Sequence, residues 1–287
     1  MELRQIECFL ACREHGSFTA AARSLSMVQS AVSASVAKLE RELGARLFDR
    51  TPRALLLTEA GAAVVEPALD MLRARRAIGD GVAAARGEVR GEVVLGNLLN
   101  LHLIDLAGVL AGLHRRYPAV TVRMRQSAAG AAGNLAGLRD GSLDLALLVG
   151  VPAELPGITR YPLAEESVVL CTAPGHPLAG RPFRPAELDG ERFVDFPPGW
   201  GTRTVADAVL PLRRPVIEVA EQAFALELAA KGFGVVLVPR SVAAVAPGIR
   251  YGERAGAPIP WHLTVGHAAG RTPTNAARTV LTALLNR

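Results

Sequence analysis

Between Ser17 and Gly61 the apolar positions fall into two short helical periods. Phe18, Ala21, Ala22 and Leu25 form the first set, and Val28, Val32, Val36 and Leu39 the second. Steps of three and four put each set on one face of a helix. The break between them, Ser26-Met27, has room only for a tight turn. Two short amphipathic helices joined this way have the outline of a helix-turn-helix. The second helix turns Gln29, Ser30, Ser33, Ala34, Ala37 and Lys38 away from its apolar stripe. Side chains this short, or ending in an amide, let a helix enter a major groove and read base edges. The same pattern also fits a small helical subdomain whose exposed face is rich in Ser and Ala.

The flanks extend the pattern on both sides. The spacing predicts a first helix over Leu3–His15, closed by Gly16 as a C-cap. Arg50-Thr51-Pro52-Arg53 reads as a turn and residues 54–57 as a short strand, giving a β-hairpin with Arg50 and Arg53 near its tip. Arginines on a narrow projection suit phosphates or the minor groove, and they equally suit a solvated loop. Thr58 is placed to cap a helix from Glu59, whose Ala62, Val65, Leu69 and Leu72 recur at three and four. Pro67 sits inside that pattern, where local rules predict a kink, and Gly79, Gly81, Gly87 and Gly91 mark a hinge beyond it.

Charge sharpens the first reading. No Asp or Glu occurs from His15 to Leu39, while Arg23 and Lys38 do. Carboxylates on a surface that meets phosphates are repelled, so their absence fits a nucleic-acid face. The net charge of +5 and the pI near 9.6 say the same thing more weakly. Nearly all the basic residues are Arg, Lys38 and Lys231 being the only lysines, which reads as codon bias together with the abundant Ala and Gly. Of the three cysteines, Cys8 and Cys12 lie four apart with His15 three further on, a spacing that metal ligands use. They also fall beside the apolar stripe of Ile6, Phe9 and Leu10, and burial is the expected role. Cys171, after three apolar residues in a strand-like run, reads the same way.

The N-terminal stretch closely resembles the winged helix-turn-helix of the LysR-type transcriptional regulators. The matching residues run in register without a gap. They are Leu3-Arg4 and Phe9, then Gly16-Ser17-Phe18-Thr19, Ala21-Ala22, Leu25, Gln29, Ala31-Val32-Ser33 and Leu39-Glu40. Leu43-Gly44, Leu47-Phe48, Arg50 and Leu57-Thr58-Glu59-Ala60-Gly61 complete the set. Two positions depart from it. Val28-Gln29-Ser30 stands where the family often has Ser-Gln-Pro, which leaves Ser26 or Ser30 to serve as the cap. Ala34 stands where Arg is frequent, which removes one common DNA contact. The resemblance implies that Gln29, Ser30, Ser33 and Ala34 lie against bases, with Lys38, Arg50 and Arg53 on backbone or minor groove. It also implies a kinked linker helix that pairs with the same helix of a second subunit, and an interrupted palindrome as the DNA target.

From Glu92 the pattern changes to strands alternating with helices. Residues 92–96, 120–125, 143–149, 168–171, 192–196, 216–219 and 235–238 are strand-like. Helical runs cover 102–116, 131–140, 202–210, 222–231 and 274–286, so open α/β sheets are expected. Two subdomains should meet at crossovers near 156–165 and 262–271. This part resembles, more loosely, the LysR-type effector domain, which is similar in fold to periplasmic binding proteins. The segments that carry it are 143–147, 166–171 with His176-Pro177-Leu178, and 232–239. The expected division is residues 1–58 for the winged domain, 59–90 for the linker helix and hinge, and 91–287 for the effector domain. Within the last, subdomain I would hold about 91–160 and 268–287, and subdomain II about 161–267.

Ligands of open α/β sheets sit past the carboxyl ends of the strands, in the crevice between halves. That rule selects the loops at 97–100, 127–130, 198–202 and 220–222. Asn97, Asn100 and Ser127 offer neutral hydrogen-bonding groups. Gly199, Trp200 and Thr202 stand at a helix start, where free N–H groups favour an anion and an indole can stack. Each polar residue there also suits ordinary helix capping. The resemblance implies a small effector, often an organic acid, and a homodimer or homotetramer.

Catalysis is not expected. The chain has no G-x-S-x-G, no G-x-x-x-x-G-K-[ST] and no H-E-x-x-H, and Gly232-Phe233-Gly234 precedes a strand, the wrong context for a dinucleotide loop. No cofactor or metal site is expected either. No apolar run approaches the roughly 18 residues of a membrane helix, and the N-terminus lacks a signal-peptide layout, so a soluble cytoplasmic protein is expected. The alternative is a solute-binding module, or an enzyme built on the α/β part, without specific DNA binding.

Overall fold

A computed structural model describes residues 1–50, 55–99, 101–151 and 154–286, with the side chains of all of these except Arg50 and Ala84. Arg53 and Asn100, both expected at sites, lie outside the described residues, as does the side chain of Arg50. The described residues form two compact units, one of residues up to Glu88 and one from Val89 onward without Asp140–Ser142.

The first unit is built on three helices, α1 (Leu3–His15), α2 (Phe18–Ser24) and α3 (Gln29–Leu43). A two-stranded hairpin follows, β1 (Phe48–Arg50) against β2 (Leu55–Leu57), then a long helix α4 (Glu59–Ala85). The stripes read from the sequence converge: Ile6, Phe9, Val32, Val36, Leu39 and Phe48 are at most 1% exposed. Burying a side chain of this size stabilises by roughly 1.5–3 kcal/mol. Cys8 and Cys12 are fully buried in the same core, the structural role expected of them. Two side chains fix the hairpin. Glu40 on α3 accepts from Leu47 N at 2.8 Å and Phe48 N at 3.3 Å. Thr58 accepts from Gly61 N at 2.9 Å while donating to Arg46 O at 2.6 Å, so it caps α4 as its position suggested.

Helix α4 is continuous through Pro67, as expected, and departs from expectation at the hinge. Gly79 and Gly81 lie inside it, so the turn begins only at Gly87, with φ +73°. Val65 and Leu69 are buried in this unit's own core, and the exposed apolar residues are Ile78 (70%) and Val82 (53%) further along. Arg75 meets Glu7 of α1 at 3.1 Å.

The second unit is α/β throughout. Strands β3 (Gly91–Asn97), β4 (Val120–Gln126) and β5 (Leu145–Leu148) are parallel, with α5 (Leu106–Arg116) and α6 (Gly130–Asp140) as crossovers. A 15-residue strand β6 (Ile158–Thr172) then carries the chain into the other half. There β7 (Arg192–Asp195) pairs with β8 (Arg214–Glu218) around α7 (Gly201–Val209), followed by α8 (Gln222–Ala230) and β9 (Val236–Pro239). The short helix α9 (Arg240–Ala244) and strand β10 (Arg250–Gly252) precede β11 (Ile259–Ala268), and α10 (Asn275–Leu285) closes the unit.

The crossovers expected as connectors near 156–165 and 262–271 are instead strands. β6 and β11 pair antiparallel from Ile158↔Ala268 to Val168↔Ile259, with a register shift at Leu163 beside Pro162. Pro162 donates no hydrogen bond and breaks the run, which is why the sequence reads as a connector there. The result is one sheet in the order β10-β6-β11-β5-β3-β4, with β9 also on β6 and β7–β8 reached through the Phe193↔Val235 bridge. Two α/β halves joined by a paired ribbon replace two separate sheets.

Candidate DNA-reading helix and ligand cleft

The N-cap of helix α3 is Val28, which has extended backbone and provides no side-chain cap. Neither Ser26 nor Ser30 caps it. Ser26 takes the left-handed conformation, φ +54°, that closes the turn between α2 and α3. Gln29, Ser30, Ala34 and Lys38 are exposed and Ser33 is half-buried, on the side opposite Val32, Val36 and Leu39. The face the sequence assigned to base reading is therefore open, and its first turn presents uncapped N–H groups. Lys38 has a partner the local sequence hides. Its Nζ lies 2.6 Å from Glu2 Oε1, and that hydrogen bond and charge raise the Lys38 pKa. The acid-free stretch in the sequence is thus not acid-free in space, because α1 brings Glu2 to the end of the α3 face.

In the second unit the loops after β3, β4, β7 and β8 converge on one narrow cleft of about 50 Å³. Asn97, Ser127, Trp200 and Thr202 line it, alongside Glu166, Gln222, Ser241 and Trp261. Gly199 stands behind the wall: its carbonyl accepts from Ala132 N at 3.1 Å, across the halves. Trp200 makes a second such bond, its indole N–H donating to Ala128 O at 3.1 Å, and its ring stacks on Phe196 with centroids 6.4 Å apart. These two bonds hold the halves together at the cleft floor. Gly150, with φ +58°, packs directly against the lining residue Gly201, since a Cβ there would fall 2.5 Å from Gly201 O.

The capping alternative separates the candidate polar residues. Ser127 Oγ accepts from Ala129 N at 3.1 Å, so that side chain serves the turn before α6. Thr202, 2% exposed in the first turn of α7, has no partner for its hydroxyl oxygen. Asn97 Oδ1 and Gln222 Oε1 are likewise buried and unpaired. Among the described residues four buried side-chain polar atoms lack a partner, and three of them belong to this one cleft; the fourth is Asp80 Oδ2 on α4. Buried polar groups are nearly always satisfied, so three unpaired atoms on residues that line one cleft point to a ligand site. Asn97 is held for the task by Asn134, 1% exposed, whose amide donates to Asn97 O and Leu147 O at 3.0 Å each.

Sequence reasoning missed Glu166, Ser241 and Trp261, and reached Gln222 only as the end of a loop. Trp261 and Glu166 face each other across the β6–β11 ribbon. Glu166 accepts from Ser241 N at 2.6 Å and Ser241 Oγ at 2.8 Å, so a carboxylate, not a ligand, occupies the start of α9. The ribbon was read as a connector, and no local pattern announces which of its residues face the cleft.

Comparison with known proteins fixes the family. The model of the LysR substrate binding domain matches residues 86–287, and that of the bacterial regulatory helix-turn-helix protein, lysR family, matches residues 3–62. The HTH-type transcriptional regulator TfdS of Cupriavidus pinatubonensis is 35% identical over 288 residues, covering 92% of each chain. A probable hydrogen peroxide-inducible genes activator of Mycobacterium avium is 32% identical over 255 residues, 84% of this chain and 78% of its own. Full-length CbnR, solved in complex with its target DNA, superposes with a TM-score of 0.65 at 27% identity, covering 100% of this chain and 99% of that one. The chain belongs to the LysR family of transcriptional regulators, with a helix-turn-helix DNA-binding domain followed by an effector-binding domain.

Proposed function

We propose that this regulator reads an interrupted palindrome with the exposed face of α3 and answers to a small molecule held in the cleft of its α/β unit. The open, uncapped start of α3 carries the DNA half of the reading. Gln29, Ser30 and Ser33 reach base edges, Ala34 makes an apolar contact, and Arg50 and Arg53 hold backbone or minor groove. Lys38 reaches phosphate by exchanging Glu2 for it. Two subunits place their winged helices in successive major grooves. Ile78 and Val82, exposed on the far half of α4, support a partner helix as the dimer contact, and a dimer or a dimer of dimers follows from it. No helix among the described residues is long and apolar enough to cross a membrane, which supports cytoplasmic action on DNA.

The three unpaired polar atoms carry the effector half. Ligand binding would satisfy them, alter the two bonds across the cleft floor, and change the angle between subunits and the DNA bend. A peroxide response does not come over from the mycobacterial relative. Peroxide attacks thiolates that are exposed and of low pKa. The unit holds one cysteine, Cys171, fully buried in β6, with its pKa pushed up by burial. The test is a footprint on the DNA upstream of its own gene, with and without the small molecule that most raises the melting temperature in a screen. Identical footprints sink the switching account.

A further inference from the structure

The charge of the effector can be read from the cleft wall. Among the described residues that line it there is no Lys or Arg, and the one basic side chain is the imidazole of His102. The one full charge on the wall is the carboxylate of Glu166, held by two bonds to Ser241. The start of α9, which would otherwise attract an anion, is already occupied by that carboxylate. The atoms left unpaired are the hydroxyl of Thr202, which donates and accepts, and the amide oxygens of Asn97 and Gln222, which accept only and so call for donors on a ligand. Two indoles, Trp200 and Trp261, 9% and 6% exposed, supply flat apolar surface beside them.

We propose that the effector is an uncharged, ring-bearing molecule with both hydrogen-bond donors and acceptors, and not the organic acid that the family resemblance implies. A carboxylate entering this cleft would be desolvated beside Glu166 with no Lys or Arg to meet it and only the imidazole of His102 as a basic group, an unfavourable exchange. An amide or phenol keeps its ring on the apolar surface that the indoles supply and donates to Asn97, Thr202 and Gln222 at no charge cost. The competing feature is the start of α7, where the N–H groups near Gly201 favour an anion. One helix terminus acts against Glu166, so the uncharged ligand wins. This inference rests on the effector role proposed for the cleft.

The chain has two tryptophans, Trp200 and Trp261, and both line this cleft, so tryptophan fluorescence reports on it alone. Benzamide and benzoate, equal in shape and different in charge, are titrated into the full-length protein. Benzamide is expected to give a saturable change at least about tenfold tighter than benzoate, a difference of about 1.4 kcal/mol. Thr202→Val and Gln222→Leu, which keep shape and fold, are expected to erase the preference. Benzoate binding as tightly as benzamide or tighter overturns the proposed ligand class and leaves the cleft as an effector site. No saturable change with either compound overturns both, and DNA binding by α3 is then judged on its own assay.

Discussion

The winged domain and the cleft treat buried polar atoms in opposite ways. In the former, Gln5, 2% exposed, accepts from Glu2 N at 2.5 Å and donates to Glu42 at 3.1 Å, and Glu40 ties the hairpin to α3. In the latter, Asn97, Thr202 and Gln222 keep atoms without partners. A DNA-reading helix works from outside: its recognition side chains stay in water until docking, and among the described residues of the platform beneath them, 1–50 and 55–72, no buried side-chain polar atom lacks a partner. A closed ligand cleft works from inside. Its recognition groups are desolvated in advance, and the ligand restores what folding left unmade.

The largest expected effect is on the platform. Phe9→Ala removes a fully buried ring packed 5.4 Å from Phe48 and should cost about 3–5 kcal/mol. Thermal melts of the full-length protein should show the winged domain lost first, and an unchanged melt would mean the core is misassigned. Gly150→Ala comes next. The added Cβ meets the Gly201 backbone at a left-handed position, so about 1–3 kcal/mol is expected, confined to the effector unit in hydrogen exchange.

A matched pair then sharpens the contrast directly. Thr58→Ala deletes a hydroxyl that both accepts and donates, and should cost about 1 kcal/mol. Thr202→Val deletes a hydroxyl that does neither, and should leave ligand-free stability within about 0.5 kcal/mol or raise it. Equal losses in denaturant unfolding would show that Thr202 has a partner in solution.

The smallest effect concerns Asp207. Desolvation raises its pKa, but hydrogen bonds from Arg213 and Arg203 outweigh this and leave it lowered. A lowered carboxylate adds stability above its ordinary range and loses it as pH falls through the folded value. Asp207→Asn should therefore lower the melting temperature slightly at neutral pH, leave it nearly unchanged below the folded value, and so flatten the acid limb.

What the sequence revealed tracks how local each feature is. The stripe Val32–Val36–Leu39, the Gly16 cap and the Thr58 cap depend on neighbours within a few residues, and each sits where its pattern put it. The ion pair of Lys38 with Glu2 spans 36 positions and left no local trace. The cleft is built from loops after four strands and from a ribbon that Pro162 disguises as a connector. Strand-end reasoning therefore found Asn97, Ser127 and Thr202, but it had no access to Trp261 opposite Glu166. Gly199 was selected for its place before a helix, yet its carbonyl is spent on Ala132.

The most direct test of the central claim is binding of wild type and Gln29→Ala to the intergenic DNA upstream of the protein's own gene, across a salt series. The predicted result is specific binding by wild type that weakens by about 1–3 kcal/mol in Gln29→Ala, with the salt slope unchanged because no phosphate contact is lost. Equal affinity of the two proteins, or sequence-independent binding by wild type, would contradict base reading by α3.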